Sequence, residues 1–217
     1  ATDASIYQIT PRGVAFPRNA QQASSVIRQA CDQGIPITPR GAGTGLAGGA
    51  VGDGLVIDFS RHNRQITELN VEKRTVRVGP GVVLDELNAY LKPHGLWFGP
   101  DVATSSRATL GGMIGNNSSG AHVPVYGTTA EHLVSLEIVM TDGSITTIGA
   151  GHDSLPELRN FADGLVDQHA DEIRTRLHDR IHKRWAGYGF DRYLKQKGDL
   201  CKLVAGSEGT LAAVTSA

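Results

Sequence analysis

Seven glycines fall within residues 41–54, in the stretch ITPRGAGTGLAGGAVGDGLVIDFS. Apolar stretches of strand character, IPIT and LVIDF, flank them. Fixing glycine costs more backbone entropy than fixing any other residue, and so many glycines cannot sustain a helix. The segment is therefore a loop between two strands, and something must approach its backbone closely enough to offset that cost. Residues 43–48, GTGLAG, match GxGxxG. A dinucleotide fingerprint, however, opens a helix after its strand, whereas GAVGDGLVIDF leads into a second strand. There is no GK[ST], so this is not a P-loop either. Two readings remain open. Successive backbone N–H groups at Gly41, Gly43 and Gly45 form a concave anion nest, with Thr44 adding a hydroxyl. Alternatively, the glycines make a tight packing turn. Arg40 either adds charge to the nest or pairs with a local carboxylate.

The rest of the chain predicts alternating elements. GVAFP reads as a strand. NAQQASSVIRQACDQG reads as a helix with Asn19 as N-cap, Gly34 as its stop and Ala23, Val26, Ile27 and Ala30 on one face. ITELNV and RTVRV are strands. VLDELNAYLKPHG is a helix with Leu84, Leu87, Ala89 and Leu91 as its apolar positions. HLVSLEIVMTDGSITTIG predicts a hairpin with Val134, Leu136, Ile138 and Met140 on one face and Asp142-Gly143 at the turn. Residues 152–186 read as helical, with an apolar stripe at Ile173, Leu177, Ile181 and Trp185. CKLVAGSEGTLAAVTSA begins as strand and loop.

Of the 217 residues, 40% are hydrophobic and 20% charged, which suits a packed core, and the net charge of -1 argues against a nucleic-acid or anionic-membrane surface. No apolar run reaches transmembrane length, and ATDASIYQITPRG lacks the regions of a signal peptide. Cys31 and Cys201 stand outside any CxxC pair, so no zinc or iron–sulfur site is expected within these residues. Cys31 reads as a buried thiol in a reducing cytoplasm.

A second glycine-rich stretch, PDVATSSRATLGGMIGNNSSGAH, sets Gly111, Gly112, Gly115 and Gly120 among Thr109, Asn116, Asn117, Ser118 and Ser119. Such a surface can wrap an extended ligand through backbone contacts, although any single Asn more ordinarily caps a turn.

Five motifs occur in order: PRGAGTGLAGG, VGPGV, GPDVATSSRATLGGMIGNNSSG, YGTTAEHLVSLEIVMTDG and LVAGSEGTL. Together they resemble the PCMH-type FAD-binding domain of the vanillyl-alcohol oxidase superfamily. Within it they are most similar to FAD-linked D-2-hydroxyacid dehydrogenases of the glycolate oxidase, D-lactate dehydrogenase and D-2-hydroxyglutarate dehydrogenase types. RWAGYGFDRYLKQKGDLCKLVAGSEGTL resembles large bacterial members that carry an iron–sulfur region. The resemblance implies an α+β fold of two subdomains, 1–99 and 100–217, with FAD between them, a helical insertion near 152–186 and a substrate domain beyond. It assigns Pro39, Arg40, Gly41, Ala42, Gly43, Thr44, Gly45 and Leu46 to the FAD pyrophosphate. It assigns Asp101, Thr109, Gly111, Gly112, Asn116 and Gly120 to a second FAD-lining stretch, Tyr126 and Gly127 to its YG pattern, and Ala205, Glu208 and Gly209 to the closing element. The last strand, after Thr210, is expected to return beneath the cofactor. Thr44 stands near the position where many relatives attach flavin through a histidine, so FAD is expected to be non-covalent.

The implied activity is oxidation of a D-2-hydroxyacid to a 2-oxoacid, with electrons passing to a non-NAD acceptor such as an iron–sulfur region or subunit. A cytoplasmic location follows, peripheral to the inner membrane for the longer enzyme. The family's catalytic groups lie mostly in the following domain, so no catalytic residue is assigned here. His122 reads as packing or exposed, and Arg107 as paired with an acid, with contact to FAD or substrate as the alternative. His178 and His182 share a helix face but lack the Glu of HExxH, so no metal site is expected. Two other functions remain: a UDP-N-acetylenolpyruvoylglucosamine reductase-like NADPH enzyme and a non-catalytic FAD-binding module.

Overall fold

A computed structural model describes residues 2–177 and 187–217. Strands β1 (Gly13–Ala15), β2 (Ile37–Arg40) and β3 (Leu55–Asp58) form a parallel sheet in the order β1-β3-β2, with Gly13 and Ile37 both in register with Leu55. Adjacent parallel strands need a long crossover, usually helical. Between β2 and β3 that crossover is the glycine loop 41–54, which contains no helix. Helix α1 (Ala20–Asp32) connects β1 to β2. It begins where Asn19 Oδ1 accepts the Gln22 N–H at 2.9 Å and stops before Gly34, at φ +64°. Its Ala23 and Ile27 pack with Ile57, Phe59, Val139 and Ala213, and Val26 lies at the margin.

A hairpin of β4 (Ile66–Asn70) and β5 (Thr75–Val78) leads into α2 (Leu84–Leu91). Leu84, Leu87 and Leu91 are buried, but Ala89, expected on that face, is exposed. The leucines pack against Ala108, Leu110 and Met113, so one apolar cluster spans residues 78–113.

The second glycine stretch folds as a helix, α3 (Leu110–Asn116). Each glycine costs a helix about 1 kcal/mol relative to alanine. Here that cost is met by burying Leu110, Met113 and Ile114. Asn117 ends the helix at φ +52°, and its Oδ1 accepts the Ala130 N–H at 2.9 Å. The short helix α4 (Val123–Tyr126) follows.

The third sheet, order β7-β6-β8, is antiparallel and joins β6 (Ser135–Val139), β7 (Ile145–Gly149) and β8 (Ala213–Ser216). Leu136 and Ile138 are buried and Met140 packs beside them, whereas Val134, outside the strand, is exposed. Gly143 turns the hairpin at φ +82°. The expected helical run divides into α5 (Pro156–Gln168) and α6 (Ala170–Arg176), broken at His169. Ile173 and Leu177 join the same apolar cluster. Ile181, Trp185 and the pair His178 and His182 lie outside the described residues. After α7 (Phe190–Lys195), residues 201–204 form α8 (Cys201–Val204) rather than the expected strand, because Cys201 and Val204 turn into the core. Cys201 is fully buried and Cys31 only half-buried. Two main-chain hydrogen bonds between Val78 and Ala217, 2.8 and 3.0 Å, tie the third sheet to β5. No helix among the described residues is long and apolar enough to cross a membrane.

Candidate cofactor site

The two glycine stretches face each other across a cavity of about 580 Å³, within the usual range for a small-molecule or cofactor site. Fourteen of the residues assigned to FAD from the sequence line it: Pro39, Arg40, Gly41, Ala42, Gly43, Thr44, Gly45 and Leu46 from the loop, Thr109, Gly111, Gly112 and Asn116 from α3 and its cap, and Glu208 and Gly209 from the closing element. Ala212 and Val214 bring β8 to the same cavity.

The approach is close because particular Cβ atoms are missing. A Cβ on Gly41 would overlap Thr109 Oγ1 and come within 3.3 Å of the Gly112 backbone. A Cβ on Gly111 would lie 2.6 Å from the Pro80 ring. Pro80, from the VGPGV motif, also lines the cavity. Sequence spacing alone did not mark it, although a proline between two glycines was the available signal.

The cavity wall is rich in unused donors. Among the described residues, no backbone N–H from 41 to 47 donates a hydrogen bond. Thr109 is 3% exposed, caps no helix N–H through its side chain, and leaves its hydroxyl without a partner. A buried hydroxyl left unpaired costs roughly 1–3 kcal/mol, and Thr109 Oγ1 lies beside Gly41 where the two stretches meet. Arg40 and Glu208 are the charged side chains lining the cavity among the described residues. Both are engaged by the protein. Arg40 donates to the Ala50 and Thr2 carbonyls, and Glu208 Oε1 accepts from Asn116 Nδ2 at 2.8 Å.

Five residues assigned to FAD do not line the cavity. The Asp101 carboxylate bonds the His122 ring, and that hydrogen bond holds its carboxyl below the ordinary range. Gly120 is pressed against Asp101, where any Cβ would overlap the Asp101 side chain and carbonyl. Tyr126 packs edge-on to Trp97, with ring centroids 5.2 Å apart. Gly127 closes α4 at φ +72° beside Glu131. Ala205 is fully buried at the end of α8. His122 is therefore neither simply packed nor free. It is an exposed ring held by a carboxylate.

A family described as FAD binding domain matches residues 11–149. The chain belongs to this FAD-binding family. It is related to the FAD-linked D-2-hydroxyacid dehydrogenases. D-2-hydroxyglutarate dehydrogenase of Pantoea ananatis is 38% identical over the whole chain, and that of Escherichia coli 36%. Glycolate oxidase subunit GlcD of Bacillus subtilis is 32% identical over 97% of the chain. The domain spans 23% of the length of each of the first two and 37% of the third. Among solved structures, alkyldihydroxyacetonephosphate synthase superposes with a TM-score of 0.63 at 19% identity, covering 94% of this chain and 32% of that one. That similarity concerns the fold.

The cavity fits FAD on its own chemistry. Unpaired N–H groups and an orphaned hydroxyl suit an anionic, oxygen-rich ligand, and the missing Cβ atoms leave room for it to reach the backbone. No histidine, cysteine or tyrosine lines the cavity among the described residues, in keeping with FAD held without a covalent bond.

Proposed function

We propose that this domain carries the flavin of an enzyme that oxidises a D-2-hydroxyacid to the 2-oxoacid and passes the electrons to an acceptor other than NAD. The relatives' names support this substrate class, since they specify D-2-hydroxyglutarate, glycolate and D-lactate enzymes. The observation that carries the reading is the meeting of Gly41 with Thr109 and Gly112, which builds one cofactor wall from two distant stretches.

In this reading the N–H groups of 41–46, within the 39–46 stretch, hold the pyrophosphate, and the Thr109 hydroxyl gains the acceptor it lacks. Gly111, Gly112 and Asn116 bound the opposite side, with Glu208 and Gly209 closing it. Asp101, Gly120, Tyr126, Gly127 and Ala205 hold that wall in place. Parts 1–99 and 100–217 act as two halves that grip the cofactor. FAD supplies a hydride acceptor when bound. The domain's own work is to orient FAD and to keep water from its phosphates. Substrate-binding groups and an iron–sulfur acceptor belong to further parts of the longer enzyme. Two unbonded thiols, Cys31 and Cys201, favour a reducing compartment such as the cytoplasm.

The test has two arms. Flavin released from the folded domain is identified by mass, and FAD is expected. The longer enzyme is then mixed anaerobically with D-2-hydroxyglutarate, D-lactate, glycolate or NADPH. Bleaching of the flavin by a hydroxyacid is expected. Bleaching by NADPH alone would favour the nucleotide-sugar reductase reading, and recovery of no flavin would end both.

A further inference from the structure

The N-terminal turn, residues 2–8, touches the glycine loop at Gly43 and Gly48. The turn is closed on itself by the Thr2–Gln8 bridge, by Ser5 N–H donating to Asp3 Oδ1 at 2.8 Å, and by Tyr7 N–H donating to Ser5 Oγ at 3.1 Å. It then lies against the loop. Ala4 N–H donates to the Gly43 carbonyl at 2.9 Å. The Tyr7 ring covers Gly48, so closely that a Cβ there would sit 2.7 Å from Tyr7 Cδ2. Gly43 and Gly48 are the two loop glycines with left-handed backbone, at φ +69° and +82°.

Arg40 ties the same elements together through its side chain. Its Nη1 donates to the Ala50 carbonyl at 3.0 Å and its Nη2 to the Thr2 carbonyl at 2.8 Å. Both terminal amino groups of the guanidinium therefore bond main-chain oxygens, one within the loop and one in the turn. The carbonyls of Gly43 and Ala50 are taken up by the turn and by Arg40, while the N–H groups of 41–47 donate no hydrogen bond on a segment that lines the cavity.

We propose that residues 2–8 and Arg40 form a clasp that fixes the loop in its FAD-binding conformation, with Arg40 a positioning residue rather than a ligand of the phosphate. A glycine-rich loop of this length samples many conformations when unrestrained. If only a fraction of molecules holds the competent one, the apparent affinity falls by that fraction. The clasp raises that fraction before FAD arrives. The inference rests on FAD binding as read above.

The experiment measures FAD affinity and release for the wild-type chain and for Ala4→Pro, Tyr7→Ala, Arg40→Met, Arg40→Lys and the double variant Ala4→Pro/Arg40→Met. Ala4→Pro deletes the N–H that holds Gly43. Circular dichroism checks the fold, and hydrogen exchange of the FAD-free chain reads the loop directly. The clasp predicts that Ala4→Pro and Arg40→Met each weaken FAD binding about tenfold, and Tyr7→Ala by somewhat less. The double variant is no weaker than the worse single one, as expected for two parts of one device. In Arg40→Met, exchange quickens at the Ala4 and Val51 N–H groups, which bond the Gly43 and Gly48 carbonyls, but not in β1, β2 or β3. Arg40→Lys does not restore affinity, because one ammonium cannot replace a planar fork that spans two carbonyls. Wild-type affinity in Ala4→Pro and Tyr7→Ala, with Arg40→Lys rescuing the loss in Arg40→Met, would overturn the clasp and make Arg40 a direct phosphate partner. Failure of the wild-type chain itself to bind FAD would instead defeat the cofactor reading, and the clasp with it.

Discussion

The two glycine-rich stretches have similar compositions and opposite structures. Residues 41–54 stay open as a crossover between β2 and β3, with Gly43 and Gly48 in left-handed conformations. Residues 110–116 coil into α3, where Gly111 and Gly112 take ordinary backbone angles. In the loop, glycine supplies conformations that other residues resist. In the helix it supplies space, because Pro80 lies against Gly111, and Gly41 lies against Thr109 and Gly112. The cavity needs both uses: one wall bends to present N–H groups, and the other is thinned so that the first can approach.

The largest effect is expected where the walls meet. Gly41→Val drives a branched side chain into Thr109 and the Gly112 backbone. Overpacking against main chain costs about 1–3 kcal/mol or more. We expect FAD retention to be abolished and the melting temperature to fall by several degrees, as read by flavin fluorescence and calorimetry. Unchanged retention would mean that the walls are not joined in this way.

Alanine separates the two uses of glycine. Gly43→Ala must hold a left-handed angle, at a cost of roughly 1–2 kcal/mol, and its Cβ would press on the Arg40 guanidinium. Gly115→Ala sits in α3 with only Glu208 Cα near, at 3.9 Å, so it gains up to about 1 kcal/mol of helix propensity. Denaturant unfolding of the FAD-free chain should thus move in opposite directions for the two variants. Movement in the same direction would break the comparison.

The smallest expected change in stability is at Thr109. Thr109→Val removes an unpaired buried hydroxyl while keeping its shape. The FAD-free chain should keep its stability or gain up to about 1 kcal/mol, while FAD affinity should drop several-fold. Equal affinities would show that the hydroxyl has no partner in FAD.

The sequence made much of the fold legible where a local rule decides. Asn19 and Gly34 bracketed α1 through cap chemistry, and Asp142-Gly143 placed the β6–β7 hairpin. The absence of a helix after GTGLAG followed from glycine's poor propensity. The same argument hid α3, whose three glycines are outweighed by the burial of Leu110, Met113 and Ile114. Burial likewise turned residues 201–204 into a helix rather than a strand. Ala89 and Val134 matched an apolar pattern but ended at the surface, since periodicity continues past the point where packing stops. Gly54 is the last glycine of the loop, directly before β3. A Cβ there would overlap the Pro36 carbonyl, so it is fixed by the close approach of the chain beside β2 and β3. No single-sequence signal distinguishes a glycine kept for its angle from one kept for its size. The clasp was illegible for a related reason, because Arg40 and Thr2 are brought together only by the fold.

The central claim is that FAD lies between the loop and α3, against unpaired N–H groups of the loop. Hydrogen exchange of the chain with and without saturating FAD tests it most directly. The account predicts strong protection at 41–47, lesser protection at 109–112 and around 208, and little change in α5 or α6. Protection confined to other segments, or tight FAD binding that leaves the exchange of 41–47 unaltered, would contradict it.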